Sequence, residues 1–216
     1  MIRHLLAPVA PRAAASLAIP RRLSERAGVA LTFDDGPHPV GTPAVLDVLA
    51  AAGAKATFFL VGEQVQRRPS LAAEIRAAGH LVALHGHRHR LQLRLSGGEL
   101  ERDLALGAAA IRDATGAEAI LHRPPYGIYS DSGLRATRAA GLSPLLWSRW
   151  GKDWRRLTTP ARIAARATRD LRAGDVILLH DADFYSARDS HLRTVGALGL
   201  IVRELQCREI GTVLPV

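Results

Sequence analysis

The chain has 216 residues, a formal net charge of +9 at pH 7 and 48% hydrophobic residues, which fits one globular domain with a substantial core. Its single cysteine, Cys207, excludes a disulfide framework and a thiolate zinc cluster, so any metal has to be held by histidine and carboxylate. Lys55 and Lys152 are the only lysines among the 29 basic residues; the arginines stand singly or in pairs, with no dense basic run and no aromatic RNA-binding signature, so no nucleic-acid partner is expected.

The chain opens with MIRHLLAPVAPRAAASLAIPRRL, which has early basic and small apolar residues. Pro8, Pro11 and Arg12 interrupt the continuous apolar stretch that an export signal needs. Residues 1–27 are therefore read as an amphipathic leader or docking segment and residues 28–216 as the domain. From residue 29 apolar bursts alternate with helical spacing. Strands are expected at VALTF (29–33), ATFFLVG (56–62), LVALH (81–85), AILHRPPYG (119–127), PLLWS (144–148) and DVILLH (175–180). Helices are expected over 42–53, 69–80, 98–116, 132–141, 161–174 and about 192–207, several of them closed by glycine. Such alternation argues a parallel sheet or a barrel.

The residues capable of chemistry stand where the strands end: Asp34 and Asp35, His85, Arg123, Asp153 a little beyond Trp147, and His180. In α/β barrels that edge is where sites assemble. LHGHRHR (84–90) carries three histidines. On a turn or tight loop His85 and His89 face one point while His87 faces away; on an extended strand all three would share a face. Gly86 favours the turn. Two histidines and a carboxylate make a zinc set with an open position for water, and Asp35 is the natural third ligand.

TFDDG (32–36), H-x-x-x-H (85–89), RPPYG (123–127), DW (153–154) and LLH (178–180) occur in the order and rough spacing of the polysaccharide deacetylase family, the NodB-homology carbohydrate esterases. The chain resembles that family over residues 29 to 181. The resemblance implies a single-domain α/β fold, a distorted (β/α)7 barrel, and metal-dependent hydrolysis of an N-acetyl group on an amino sugar or saccharide. It implies Asp34 as general base, Asp35, His85 and His89 as metal ligands, and the backbone N–H of Tyr126 at the oxyanion. It also implies His180 as the acid, with Asp153 orienting it, Arg123 offsetting the carboxylate charge, and Trp154 and Leu178 walling the pocket for the acetyl methyl. One zinc ion is the expected cofactor, with cobalt and nickel as alternatives.

Two departures from the family pattern stand out. Trp150 occupies a position where many members carry another aspartate, which bears on Asp153. Gly86 stands where a hydroxyl residue usually follows the first metal histidine, which bears on the shape of the metal loop. Trp147 and Trp150 are read as buried packing, and His38, His80, His87, His122 and His191 carry no assigned role. A degenerate, non-catalytic carbohydrate-binding member of the fold is the alternative, and a basic nucleic-acid binder the weaker one. The remaining expectations are a monomer acting on an N-acylated sugar, located in the cytoplasm or at the inner membrane face with peripheral membrane contact through its arginines. Secretion to the cell wall is the alternative location.

Overall fold

The computed structural model describes residues 18–25 and 27–215; most of the expected leader lies outside them. Seven parallel strands form one curled sheet: β1 (Ala30–Asp34), β2 (Ala56–Leu60), β3 (Leu81–Leu84), β4 (Leu121–His122), β5 (Ser143–Pro144), β6 (Arg149–Trp150) and β7 (Val176–His180). Their order is β5-β4-β3-β2-β1-β7-β6, a distorted (β/α)7 barrel left open between β5 and β6. The helices are α1 (Gly41–Ala51), α2 (Gly62–Arg67), α3 (Pro69–Ala77), α4 (Gly97–Thr115), α5 (Asp131–Ala139), α6 (Pro160–Thr168) and α7 (Ser190–Cys207). No helix among the described residues is long and apolar enough to cross a membrane.

The strands β1 and β2 are buried at every position, as expected of parallel strands covered on both faces. Successive side chains alternate across the sheet, and the core divides accordingly. Leu31, Phe33, Phe58, Leu60, Val82, Leu84, Ile177 and Leu179 pack outward with the helices. Ala30, Phe59, Ala83, Leu121, Trp147, Val176 and Leu178 fill the inner layer. By the same parity Thr32, Asp34 and His180 fall on the inner face.

Local signals set most helix ends. Ser96 and Glu99 form a reciprocal capping box at the start of α4, and Gly116 closes it in the left-handed region. Thr159 caps α6 ahead of Pro160. The helix expected over 161–174 stops at Thr168, because Arg169 is extended and Asp170 takes a positive φ of 50°. The short α2, absent from the sequence reading, lies directly after β2.

The strand expected at 144–148 does not form: β5 ends at Pro144 and β6 begins at Arg149, with residues 145–148 between them. Leu145 N–H bonds to His122 O, Leu146 N–H to Pro20 O and Ser148 N–H to Val176 O. The segment thus crosses the open seam, leaving β4 and arriving at β7. Before residue 28, Ile19 is buried, and Arg22 bridges to Asp175 through backbone and a 2.8 Å ion pair.

Candidate active site

Asp34 ends β1 and stands in register with His180 of the neighbouring β7. Both point into the barrel mouth, where a small pocket of about 60 Å³ is lined by Asp34, Asp35, His85, His89, Tyr126, Trp147, Trp150, Trp154, Leu178, His180 and Tyr185. The sequence-predicted residues therefore converge on one place. Arg123 and Asp153 lie behind its wall, in contact with Asp34 and His180.

Arg123 is fully buried, and each of its three guanidinium nitrogens has an acceptor. Its Nη1 donates to Asp34 Oδ1 at 2.7 Å and to Thr32 Oγ1 at 2.9 Å, while Nε and Nη2 donate to the carbonyls of Leu145 and Leu146, each at 3.0 Å. The cation also lies 3.9 Å from the centre of the Phe59 ring, a cation–π contact out of water. Asp34 is left with Oδ2 towards the pocket, 3.9 Å from His85 Nε2.

Asp35 follows with a positive φ of 80°, which turns its carboxylate away from that of Asp34. Its Oδ1 lies 3.5 Å from His85 Nε2 and 3.3 Å from His89 Nε2. It is buried with no hydrogen-bond partner among the described residues. Burial alone would push this carboxyl up; His89, His85 and His180 outweigh it and hold it below the usual carboxylate range. His85 Nδ1 lies 2.7 Å from Arg123 O, so Nδ1 carries the proton and Nε2 offers a lone pair towards Asp35. An orphaned buried carboxylate oxygen facing a histidine lone pair fits a divalent cation, and a histidine ligand is ordinarily held in this way through its other nitrogen.

His87 turns away from this group, its backbone N–H bonded to Asp103 Oδ2 at 2.8 Å. Gly86 sits at φ 78° with the Asp103 carboxylate 3.0 Å from where a β-carbon would be. The glycine thus lets Asp103, on α4, brace the histidine loop from below. His80 and His122 are buried and pushed down to about 4 and about 3 by desolvation.

A second cluster, His38, Asp183 and His191, brings its ligand-type atoms comparably close. His38 Nδ1 accepts the backbone N–H groups of Val40 and Gly41, so its proton sits on Nε2, 3.4 Å from Asp183. A metal ligand needs the opposite arrangement. His38 and His191 thus stand within ion-pair distance of Asp183 on the loop after β7, each at 3.4 Å.

His180 is held by Asp153 twice, through its backbone N–H at 2.7 Å and its Nδ1 at 2.9 Å. Thr194 of α7 donates to the same carboxylate at 2.9 Å. Burial disfavours the imidazolium, but Asp153, then Asp35 and Asp34, outweigh it and push His180 up to about 10. Trp150 is half-buried, on the pocket wall and packed against the inner core layer. Trp147 is buried, as expected. Trp154 meets His180 edge-on at 5.5 Å, and Leu178 is buried beneath the pocket.

Tyr126 lies at φ 64°, followed by Gly127 at φ 68°. A β-carbon on Gly127 would sit 2.2 Å from the Trp147 ring. Sequence reasoning missed Tyr185, which stacks on His89, as well as Thr194 and Asp181. The aromatic pair in DADFYS, just beyond the last strand, was the available signal for Tyr185. Nothing local marks Thr194.

An α/β barrel whose strand ends bring an Asp-His-His cation set against a second carboxylate and a charged histidine defines a metal-type hydrolase. The polysaccharide deacetylase family model matches residues 22–145, and the chain belongs to that family. It is 39% identical over 196 residues to a chitooligosaccharide deacetylase of Sinorhizobium fredii, covering 88% of this chain and 91% of the relative. It is 36% identical over 180 residues to a peptidoglycan-N-acetylglucosamine deacetylase of Bacillus cereus, covering 82% and 81%. Among solved structures, a family 4 carbohydrate esterase from Streptomyces lividans in complex with acetate superposes with a TM-score of 0.79 at 29% identity, covering 87% of this chain and 92% of that one.

Proposed function

We propose that this hydrolase removes the N-acetyl group of an N-acetylglucosamine-type sugar, with Asp34 as base, His180 as acid and a cation held by Asp35, His85 and His89. The observation that carries the reading is the orphaned Asp35 Oδ1 between two histidine Nε2 atoms, with Asp34 and His180 in register beside it. When bound, a divalent cation supplies positive charge that lowers the pKa of nearby water and polarises an amide carbonyl; zinc suits the Asp-His-His set best.

The chain's own residues do the rest. Arg123 occupies Asp34 Oδ1 and leaves Oδ2 to take the proton of the attacking water. As the water oxygen bonds to the acetyl carbon, the carbonyl oxygen gains charge, and the Tyr126 N–H donates to it. His180, its Nδ1 engaged by Asp153, gives the Nε2 proton to the sugar nitrogen as the C–N bond breaks. Acetate and a free amine leave. Trp154 and Leu178 enclose the methyl group, and a pocket of about 60 Å³ suits an acetyl better than a longer acyl chain.

The sugar is read as a short, soluble or lipid-linked saccharide, and the chain as a monomer. Its basic surface favours contact with anionic lipid head groups at the inner membrane face. Cell fractionation with N-terminal sequencing tests the location; a processed form outside the cell would move assembled cell-wall polymer to first place. The activity itself is tested on a panel of N-acetylated saccharides scored for released acetate, with zinc-loaded and chelator-stripped protein side by side. Release that is equal in both arms would sink the cation's part. A panel with no release under any metal would favour the non-catalytic binding member of the fold.

A further inference from the structure

The two histidines of the cation set are held in different ways. His85 is oriented by a hydrogen bond, Nδ1–H to Arg123 O at 2.7 Å. His89 Nδ1 is buried and has no hydrogen-bond partner among the described residues. A ring so placed keeps its hydrogen-bonding freedom, and something else has to fix its plane.

That plane is set by aromatic contact. The Tyr185 ring lies flat on His89, centroids 4.0 Å apart and 9° from parallel, while Tyr126 meets the imidazole edge-on at 4.7 Å. The Tyr185 hydroxyl is itself pinned: it donates to Glu63 Oε1 at 3.1 Å and accepts from Gln64 Nε2 at 3.2 Å. Both partners belong to the first turn of α2. The same turn binds the histidine loop, since the backbone N–H groups of Gly62 and Glu63 donate to Gly86 O and His87 O, each at 2.9 Å. One short helix therefore fixes both the loop that carries His89 and the ring that faces it. From the other end, Asp189 N–H closes the Tyr185 loop on Asp183 at 2.7 Å.

We infer that Tyr185 is a positioning residue for His89, its stacked ring taking over the task that a hydrogen bond to Nδ1 performs in other histidine ligands. The inference rests on the reading of Asp35, His85 and His89 as the cation set. Losing an outer partner of a ligand typically costs about 10–100-fold in metal affinity. Tyr185→Leu, which fills the volume without a planar ring, and Tyr185→Ala should each weaken zinc binding by about that factor. Tyr185→Phe keeps the ring and should hold zinc within about threefold of the parent, well short of that loss.

Zinc affinity is read by competition with a chromogenic chelator, and the ligand field by the visible spectrum of the cobalt-loaded proteins. Circular dichroism of the metal-free forms checks folding, and Tyr185→Leu serves as the deciding variant where Tyr185→Ala does not fold. The expected result is weakened zinc and an altered cobalt spectrum in the leucine variant, with both restored by phenylalanine. Parent-like affinity and spectrum in the leucine variant would overturn the inference, and so would a phenylalanine variant as weak as the leucine one. A parent protein that binds neither ion would instead overturn the ligand set on which the inference stands.

Discussion

A buried guanidinium is tolerable only when its nitrogens find acceptors, and those of Arg123 find Asp34, Thr32 and two carbonyls of the seam-crossing segment. It sits where a charge is most costly and is matched there by Asp34, the proposed base. Removing one partner of such a pair leaves the other uncompensated, so Arg123→Met should lose about 3–5 kcal/mol in urea denaturation. A loss below about 1 kcal/mol, the range of exposed pairs, would take away its structural part. Asp34→Asn is milder, because amide and carboxylate have the same shape. It should retain zinc yet lose about 10²–10⁴ in kcat, measured with metal content in the same preparation; loss of the metal would make Asp34 a ligand instead. For His180 burial disfavours the cation, but Asp153 foremost, then Asp35 and Asp34, outweigh it and push the imidazole up to about 10. The cation therefore persists below that pH and is lost as the pH rises through it. Its stabilising pairing is likewise complete below about pH 6.5, the usual histidine value, and fades towards 10. A bound divalent ion, being positive, pulls the value down, so the alkaline limb of kcat/KM should fall below pH 10. Asp153→Asn removes the leading upward influence and should move that limb down by about 1–3 units. An unmoved limb would detach Asp153, or His180 itself, from the titration.

The elements deliver these residues by parity. In β1 the outward set is Leu31 and Phe33 and the inward set is Ala30, Thr32 and Asp34; in β7 the inward set is Val176, Leu178 and His180. Because β1 and β7 pair in register, Asp34 and His180, the proposed base and acid, arrive side by side at one spacing of the sheet. Gly127 shows how tightly the opposite wall is built. Gly127→Ala would drive a methyl into the Trp147 ring from a left-handed backbone, costing about 1–3 kcal/mol from overpacking alone and displacing Tyr126. Thermal melting together with KM for an N-acetyl sugar would register it; a variant with parent-like melting and KM would mean that the Tyr126 turn tolerates movement. Much of this was legible in the chain. Asp34, Asp35 and His180 adjoin strands whose apolar runs are unmistakable, and His85 and His89 were separated from His87 by turn geometry. What was not legible depended on partners distant in sequence. PLLWS reads locally as one strand, yet its backbone bonds go to His122, Pro20 and Val176, and no local pattern encodes that division. Trp150 looked like core because tryptophan usually is, but the open seam leaves it on the pocket wall. Thr194 reaches Asp153 across 41 residues, and Tyr185 reaches His89 from the loop after β7.

At the scale of the whole molecule the charge distribution runs against the average. The chain carries a net +9, yet Asp34, Asp35, Asp153 and Asp181 are all buried at the barrel mouth. Arg123 balances the first and His180 the third. Asp181, bonded to Thr42, is pushed up to about 7 by burial, with the charge of Asp35 adding to it. Among the described residues, Asp35 Oδ1 has only the Nε2 atoms of His85 and His89 within ion-pair distance. A cation that binds there stabilises the folded chain by mass action, since the unfolded chain has no such site. At free metal about 100 times its dissociation constant the gain is about 2.7 kcal/mol, or about 5–10 °C in melting temperature for a domain of this size. Zinc, cobalt and nickel titrations followed by thermal melting should therefore show a rise that grows with metal concentration, and the ion that reaches it at the lowest concentration is the preferred one. Asp35→Asn should abolish the rise while Asp34→Asn preserves it, because the first variant removes the ligand and the second only the base. The His85→Ala/His89→Ala protein should melt at one temperature whatever the metal concentration. A metal-dependent rise that survives in that double variant would put the cation elsewhere in the molecule.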